Sequence, residues 1–373
     1  MIKRFFKKWQ EYCPIYTILV LMLFPLTILL HTLSIFLPTV ADFVNRYPAQ
    51  AVRFLLAKLT GFLPFSLAEI LFILLIPLAV YGMVLSFQLA QKEDPQPSRY
   101  YLFSLLGAFI TLYILFVFTL GTSYFTTTID KELALNKNQV SKEELFATAD
   151  EVRQEAEKLL DEIQFQENGS SVMPYDLDRL NDKLNQTYAI ISERHDFISS
   201  LSSNVKPILL SKALTHTHMS GLYTYMTGEA NLNTHFPDST IPFTMAHEMA
   251  HQRGIAREDE ANFVAFLVTM ESDDPYIRYS GYYEIFKYFV NALYAADQDL
   301  FKEIYARADK RLVGEILAFN EFFKPYQNST AATVTETIND AYQQMQGVEA
   351  GIRSYGLVVD LTVAYHQKKG SLD

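Results

Sequence analysis

Three long apolar runs near the start of the chain limit what it can fold into more than any other feature. Tyr16 to Leu37 is broken only by Pro25, His31 and a few hydroxyls, and Ser66 to Leu89 and Leu102 to Leu120 follow it. A hydrocarbon core about 30 Å thick needs roughly 20 helical residues, and none of the three runs contains Lys or Arg. They predict membrane-spanning helices at about 16–37, 66–89 and 102–120. The first run is longer than the apolar part of a cleavable signal peptide and has no small-x-small cleavage site. Glu69, near a run's end, and the isolated His31 receive no role.

Basic residues beside the runs predict the orientation. Lys3, Arg4, Lys7 and Lys8 precede the first run, which places the N-terminus inside. Three crossings then put everything after Tyr124 outside. Arg46, Arg53 and Lys58 in the first outside loop count against this, since the second loop offers only Lys92 and Arg99. Residues 50–61 place Val52, Leu55, Leu56 and Leu59 at helical spacing, with Arg53 and Lys58 pointing elsewhere, as an interfacial helix would.

The net charge of -11 lies mainly after residue 129, which describes an acidic domain and excludes nucleic acid as a partner. Cys13 is the sole cysteine, so no disulfide can form within the chain, and an outside domain must be held by its own core or by metal.

Beyond the apolar runs, Ser141 and Glu144 have capping-box spacing ahead of a helix, and Tyr175 to His195 aligns Leu177, Leu180, Leu184, Tyr188 and Ile191 on one face. Lys206 to Asn233 changes pattern, with alternating residues and glycines at 221 and 228 that predict strands or a hairpin. Helical patterns return after Pro242: Glu258 to Met270, Tyr282 to Ala296, Leu300 to Phe322, Ala332 to Gln346 and Leu357 to His366.

The chemistry concentrates in FTMAHEMAHQRGIAREDEANF, Phe243 to Phe263. Positions i and i+4 of a helix lie nearly one above the other, so His247 and His251 can serve one zinc ion. Glu248 is rotated about 100° from His247, where a carboxylate can act as general base. A catalytic zinc needs a third protein ligand. Gly254 can take the positive φ that ends the helix and turns the chain. In the segment that follows, Glu258 and Asn262 share one helix face, with Glu260 about 160° away from Glu258. Glu258 is therefore the chosen third ligand and Asn262 its supporting hydrogen-bond partner, with Glu260 the alternative ligand.

Other candidates carry less. His216 and His218, two apart, could lie on one face of a strand and suggest a second metal site, although a solvated loop fits as well. Among Tyr276, Tyr279, Tyr282 and Tyr283, Tyr279 is the first choice as a donor to an oxyanion.

Glu258, Ala261 and Asn262 resemble the E-x-x-A-D/N third-ligand helix of gluzincin-type metallopeptidases. Three apolar runs followed by GEANLN, PFTMAHEMAHQRG and REDEANF are similar to a family of uncharacterised bacterial membrane proteins with an HExxH site. The resemblance implies an α-helical membrane protein: a membrane region at 1–125, a helical juxtamembrane segment at 126–205, and a mostly helical zincin-like α+β domain with a small β-sheet at 206–373. It further implies that Gly228 to Asn233 is a strand at the cleft edge that pairs with an extended substrate. Only six residues separate His251 from Glu258, fewer than in most gluzincins. The expected function is a Zn2+-dependent metallopeptidase with Glu248 as the base. It would be anchored in the lipid bilayer, with the N-terminus cytoplasmic and the C-terminal domain outside, acting on a peptide or protein substrate. The alternative is a zinc-site sensor or binding module of the cell envelope without catalysis.

Overall fold

Apolar length sets the first helices of the protein. The computed structural model describes residues 13–92, 95–136, 140–327, 329–345 and 356–372. Lys3, Arg4, Lys7, Lys8 and Gln346 lie outside the described residues. The chain divides into two units, Met1–Thr126 with Thr224–Gly228, and Thr127–Tyr223 with Glu229–Asp373.

In the first unit, helix α1 (Ile15–Phe36) is followed by α2 (Pro38–Val44), a π-helical turn (Asn45–Ala49), α3 (Gln50–Gly61), α4 (Leu67–Ala90) and α5 (Gln96–Thr119). Helices α1, α4 and α5 are long and apolar enough to cross a membrane. The third begins earlier than its apolar run, so Arg99 lies in the first turn of α5 and not in the preceding connection. Gly107 of α5 leaves room for Tyr16 and Thr17 of α1, and the Thr17 hydroxyl donates to the Phe103 carbonyl at 3.0 Å. His31 and the Tyr113 hydroxyl hydrogen-bond at 2.9 Å, while Ser66 caps α4 by accepting the Glu69 N–H.

Helix α3 corrects the sequence reading of its inner face. Arg53, Ala57 and Thr60 are buried, and Phe54, Leu55 and Leu59 are exposed. Arg53 donates to the Asn45 carbonyl at 2.8 Å and to the Thr119 carbonyl, at the end of α5, at 3.4 Å. A guanidinium with five donors suits carbonyls at helix ends. Arg53 is thus a packing residue of this unit and is not a solvated loop charge. At the turn Thr224–Gly228, the Tyr225 ring meets Phe116 edge-on at 5.6 Å.

In the second unit the short α6 (Ile129–Glu132) leads to α7 (Lys142–Leu159), whose Ser141 and Glu144 close the capping box reciprocally. Helix α8 (Leu177–Arg194) buries Leu180, Leu184, Tyr188 and Ile191, the face read from its spacing. Then come β1 (Lys206–Pro207), α9 (Ser211–Leu214), β2 (Gly221–Thr224), β3 (Glu229–Leu232), α10 (Ile241–Gln252), α11 (Glu258–Glu271) and α12 (Pro275–Ala296). The last helices are α13 (Gln298–Arg307), α14 (Lys310–Phe323), α15 (Thr330–Met345) and α16 (Leu357–Lys369). Asp309 accepts the Arg311 N–H and so starts α14, which splits the expected single helix over 300–322.

Two expectations change here. Residues 126–205 do not form a separate segment: α7 packs on α12, α8 on α11, and their side chains share one core with α10 and β3. Helices amphipathic at this length bury their apolar stripe against a neighbour instead of standing apart. The strand signal over 206–233 is also only partly realised, because Ser211–Leu214 is helical and Thr215–Thr217 is a 3-10 turn. The sheet order is β1-β3-β2, with β1 parallel to β3 and Lys206 opposite Asn231.

Leu184 is fully buried in this core and Ile190 is 43% exposed on the same helix. Leu184→Ala is expected to lower stability by about 2–5 kcal/mol, and Ile190→Ala by no more than about 0.5 kcal/mol, in denaturant unfolding followed by circular dichroism.

Candidate metal centre

The site grows from α10, a helix buried on nearly all sides and therefore built of Ala, Met and Phe between its polar residues. Tyr188 donates to the Ala246 carbonyl at 2.6 Å, and Arg253 stacks its guanidinium on Tyr188 at 3.8 Å. Arg253 also donates to the Met249 carbonyl at 2.9 Å and to Ser203 Oγ at 2.8 Å, and it contacts the Leu201 carbonyl. These bonds cap the end of α10 and fix its position. On one side of that helix the imidazoles of His247 and His251 lie 4.6 Å apart and nearly perpendicular.

The chain then reverses at Gly254, whose φ of 91° is open to glycine and costly to other residues. Gly254 N–H donates to the His251 carbonyl at 2.9 Å and Ile255 N–H to the Ala250 carbonyl at 3.1 Å, the paired bonds of a Schellman ending. The same turn delivers the Ile255 carbonyl to His251 Nδ1 at 2.7 Å. One glycine thus ends the helix, turns the chain and orients an imidazole.

Helix α11 begins immediately after this turn. Glu258 Oε2 is 3.2 Å from His247 Nε2, and Oε1 is 3.6 Å from His251 Nε2. One ligand atom from each of the three residues can be chosen so that all lie within 4.8 Å of one another. A turn further on, Asn262 Oδ1 is 2.9 Å from His247 Nδ1. Both Nδ1 atoms therefore have oxygen acceptors, so that in the neutral imidazole the proton sits on Nδ1 and the lone pair on Nε2. Burial opposes charge on Glu258 and His251, yet the carboxylate raises His251 to about 9 and the imidazoles keep Glu258 well below the usual carboxylate range, so a cation at His251 Nε2 would displace a proton.

Glu260 faces away, as its position two residues on requires. Its carboxylate accepts the Ile129 N–H at 3.0 Å and Arg257 Nη1 at 3.0 Å, tying α6 to the start of α11. The geometry thus separates the two acids that the sequence left in competition, with Glu258 facing the imidazoles.

Glu248 is buried next to this group and, unlike Glu258, has its pKa raised, chiefly by burial against the lowering effect of His247 and His251. Its carboxylate accepts the Tyr223 N–H of β2, and Oε2 has no hydrogen-bond partner among the described residues. Two imidazole nitrogens, a carboxylate and a second buried carboxylate with an unused oxygen can hold a divalent cation and a polar molecule beside it.

Several other candidates fall elsewhere. Tyr279 is buried and donates to Glu315 at 3.2 Å, Tyr276 bonds Ser171 Oγ at 3.0 Å, and Tyr282 donates to the Leu372 carbonyl at 2.9 Å. Tyr283 is likewise fully buried, so this group belongs to the core and supplies no oxyanion donor. His216 lies within the 3-10 turn Thr215–Thr217 and His218 ends it, both against Tyr326, where His218 Nε2 meets the Tyr326 carbonyl at 3.0 Å. They form no metal-binding group with a third ligand among the described residues. GEANLN does supply a strand, but β3 is the central one, with neighbours on both sides, and cannot take a further extended chain. The edge is β2. Sequence spacing also missed Ile255 and Tyr223, which act through backbone atoms that leave no side-chain signature.

The model of a family described as "Protein of unknown function (DUF3810)" matches residues 46–363, and the chain belongs to that family. No curated protein and no solved structure matches it.

Titration of the purified protein with divalent metal separates the two acids: Glu258→Ala is expected to abolish stoichiometric binding and Glu260→Ala to preserve it. Asn262→Ala should weaken binding by about 10–100-fold. Retained binding in Glu258→Ala would remove that residue from the site.

Proposed function

We propose that this member of the DUF3810 family is a membrane-anchored, zinc-dependent metallopeptidase. The observation that carries the reading is the orientation of the two imidazoles. Each Nδ1 is committed to a fixed oxygen, so that both Nε2 atoms are left for a cation shared with Glu258. Two His and one Glu form a donor set that zinc takes in hydrolases while keeping a position open.

His247, His251 and Glu258 would hold the zinc. When bound, it supplies Lewis-acid polarisation of water and of a scissile carbonyl. Glu248 takes a proton from the attacking water and later returns it to the leaving amine. Its burial supports this role, because a carboxylate whose pKa is raised is a stronger base than an ordinary one. Asn262 and the Ile255 carbonyl keep the imidazoles in the tautomer that leaves Nε2 free. An extended peptide is the substrate class favoured by an edge strand, β2, that touches Glu248.

Helices α1, α4 and α5 would anchor the protein in a lipid bilayer, since a helix whose apolar side chains face outward on all sides, as in α4, is stable in hydrocarbon. The basic N-terminal residues favour a cytoplasmic N-terminus, and an odd number of crossings then puts the second unit outside. A periplasm-dependent reporter fused at the C-terminus should be active; activity only of a cytoplasm-dependent reporter would reverse the orientation.

The catalytic reading is tested by assaying wild type and Glu248→Gln on a peptide library after measuring bound metal. Both should carry zinc, and the variant should be slower by about 10²–10⁴-fold. Equal rates in two zinc-loaded proteins would sink the hydrolase and leave a zinc-site binding module. A wild type that binds no metal would overturn both.

A further inference from the structure

Where β2 meets Glu248, the strand carries a glycine. A Cβ at Gly221 would lie 2.5 Å from Glu248 Oε1, 2.6 Å from Cγ and 2.8 Å from Cδ. The backbone does not call for glycine at this position, because Gly221 is not among the residues of positive φ. Space does. Two residues along, the Tyr223 N–H donates to the same carboxylate, so that this end of β2 fits against Glu248 through backbone alone.

The carboxylate cannot simply swing aside. Glu248 is 5% exposed, and rotation away from β2 would give up the Tyr223 hydrogen bond inside a buried site. An added methyl must therefore move either the strand or the acid, at a group whose position relative to the two imidazoles decides what it can protonate.

We propose that Gly221 is a positioning residue for Glu248, kept free of a side chain so that β2 can seat the carboxylate through the Tyr223 N–H. The inference rests on the reading of Glu248 as the base. It extends that reading to a strand residue that is not itself a metal ligand and whose substitution should leave the amount of bound metal unchanged.

Two measurements test it together. In the first, bound metal, kcat and KM are measured for Gly221→Ala, Glu248→Asp and the double variant. Gly221→Ala should keep full metal content and a KM within about twofold, while kcat falls by about 10–100-fold, the range for a displaced catalytic group. Asp is one methylene shorter and leaves room for the added methyl, so the double variant should turn over faster than Gly221→Ala. Unchanged kcat, or no rescue by Asp, overturns the proposal.

In the second, thermal unfolding compares Gly221→Ala in the wild-type and Glu248→Ala backgrounds. The methyl should lower the midpoint by about 3 °C or more in the first and leave the second unchanged. Equal shifts in both backgrounds also overturn it. Should Gly221→Ala fail to fold, Gly221→Ala/Glu248→Ala must fold like Glu248→Ala, and failure of both refutes the contact. An inactive wild type defeats the hydrolase reading, whereas the unfolding cycle judges the Gly221 contact without reference to activity.

Discussion

The left-handed turn at Gly254 is the constraint on which the rest of the site depends. It stops α10 one residue beyond His251, sends the chain back within four residues, and starts α11 with Glu258 beside both imidazoles. A longer connection would have to fix the same carboxylate with extra contacts and a larger loss of loop entropy. Here the closing bonds are helix-ending bonds that the backbone needs in any case. Because the Ile255 carbonyl serves both as part of the turn and as acceptor for His251, a change at Gly254 reaches the tautomer of the imidazole as well as the path of the chain.

Around that turn, polar groups that would be costly to bury are satisfied in pairs. Glu258 and His251 stabilise one another's charge, Glu260 accepts from Arg257 and a backbone N–H, and Arg253 spreads its donors over α10 and the loop before β1. Glu248 keeps one oxygen without a hydrogen-bond partner among the described residues. A buried carboxylate oxygen left over in this way is a common mark of a functional position. Glu260, on the neighbouring helix, commits its hydrogen bonds to Arg257 and the Ile129 N–H, whereas Glu248 keeps an oxygen for its proposed role as base.

Much of this was legible in the sequence because it is periodic or local. The i and i+4 spacing of His247 and His251, the matching spacing of Glu258 and Asn262, and a glycine where a positive φ was needed each follow from helix geometry and fixed steric rules. The capping box at Ser141 and the buried face of Leu180, Leu184 and Tyr188 were readable for the same reason. What escaped depends on partners distant in sequence. The packing of α7 on α12 drew residues 126–205 into the same core, and the central place of β3 follows from pairing that its own residues do not encode. Arg53 was misread because a charge scale counts it as solvated, whereas it sits among carbonyls at the end of α5. Tyr279 was misread because its closeness in sequence to the histidines says nothing about the direction of a core side chain.

The central claim is that His247, His251 and Glu258 share one zinc ion through the Nε2 atoms of both imidazoles. X-ray absorption at the zinc edge, on purified wild type and His247→Ala, tests it most directly. The account predicts stoichiometric zinc whose outer-shell scattering requires two imidazoles in the wild type and one in the variant. A wild-type protein without zinc, or with zinc that shows no imidazole scattering, would contradict it.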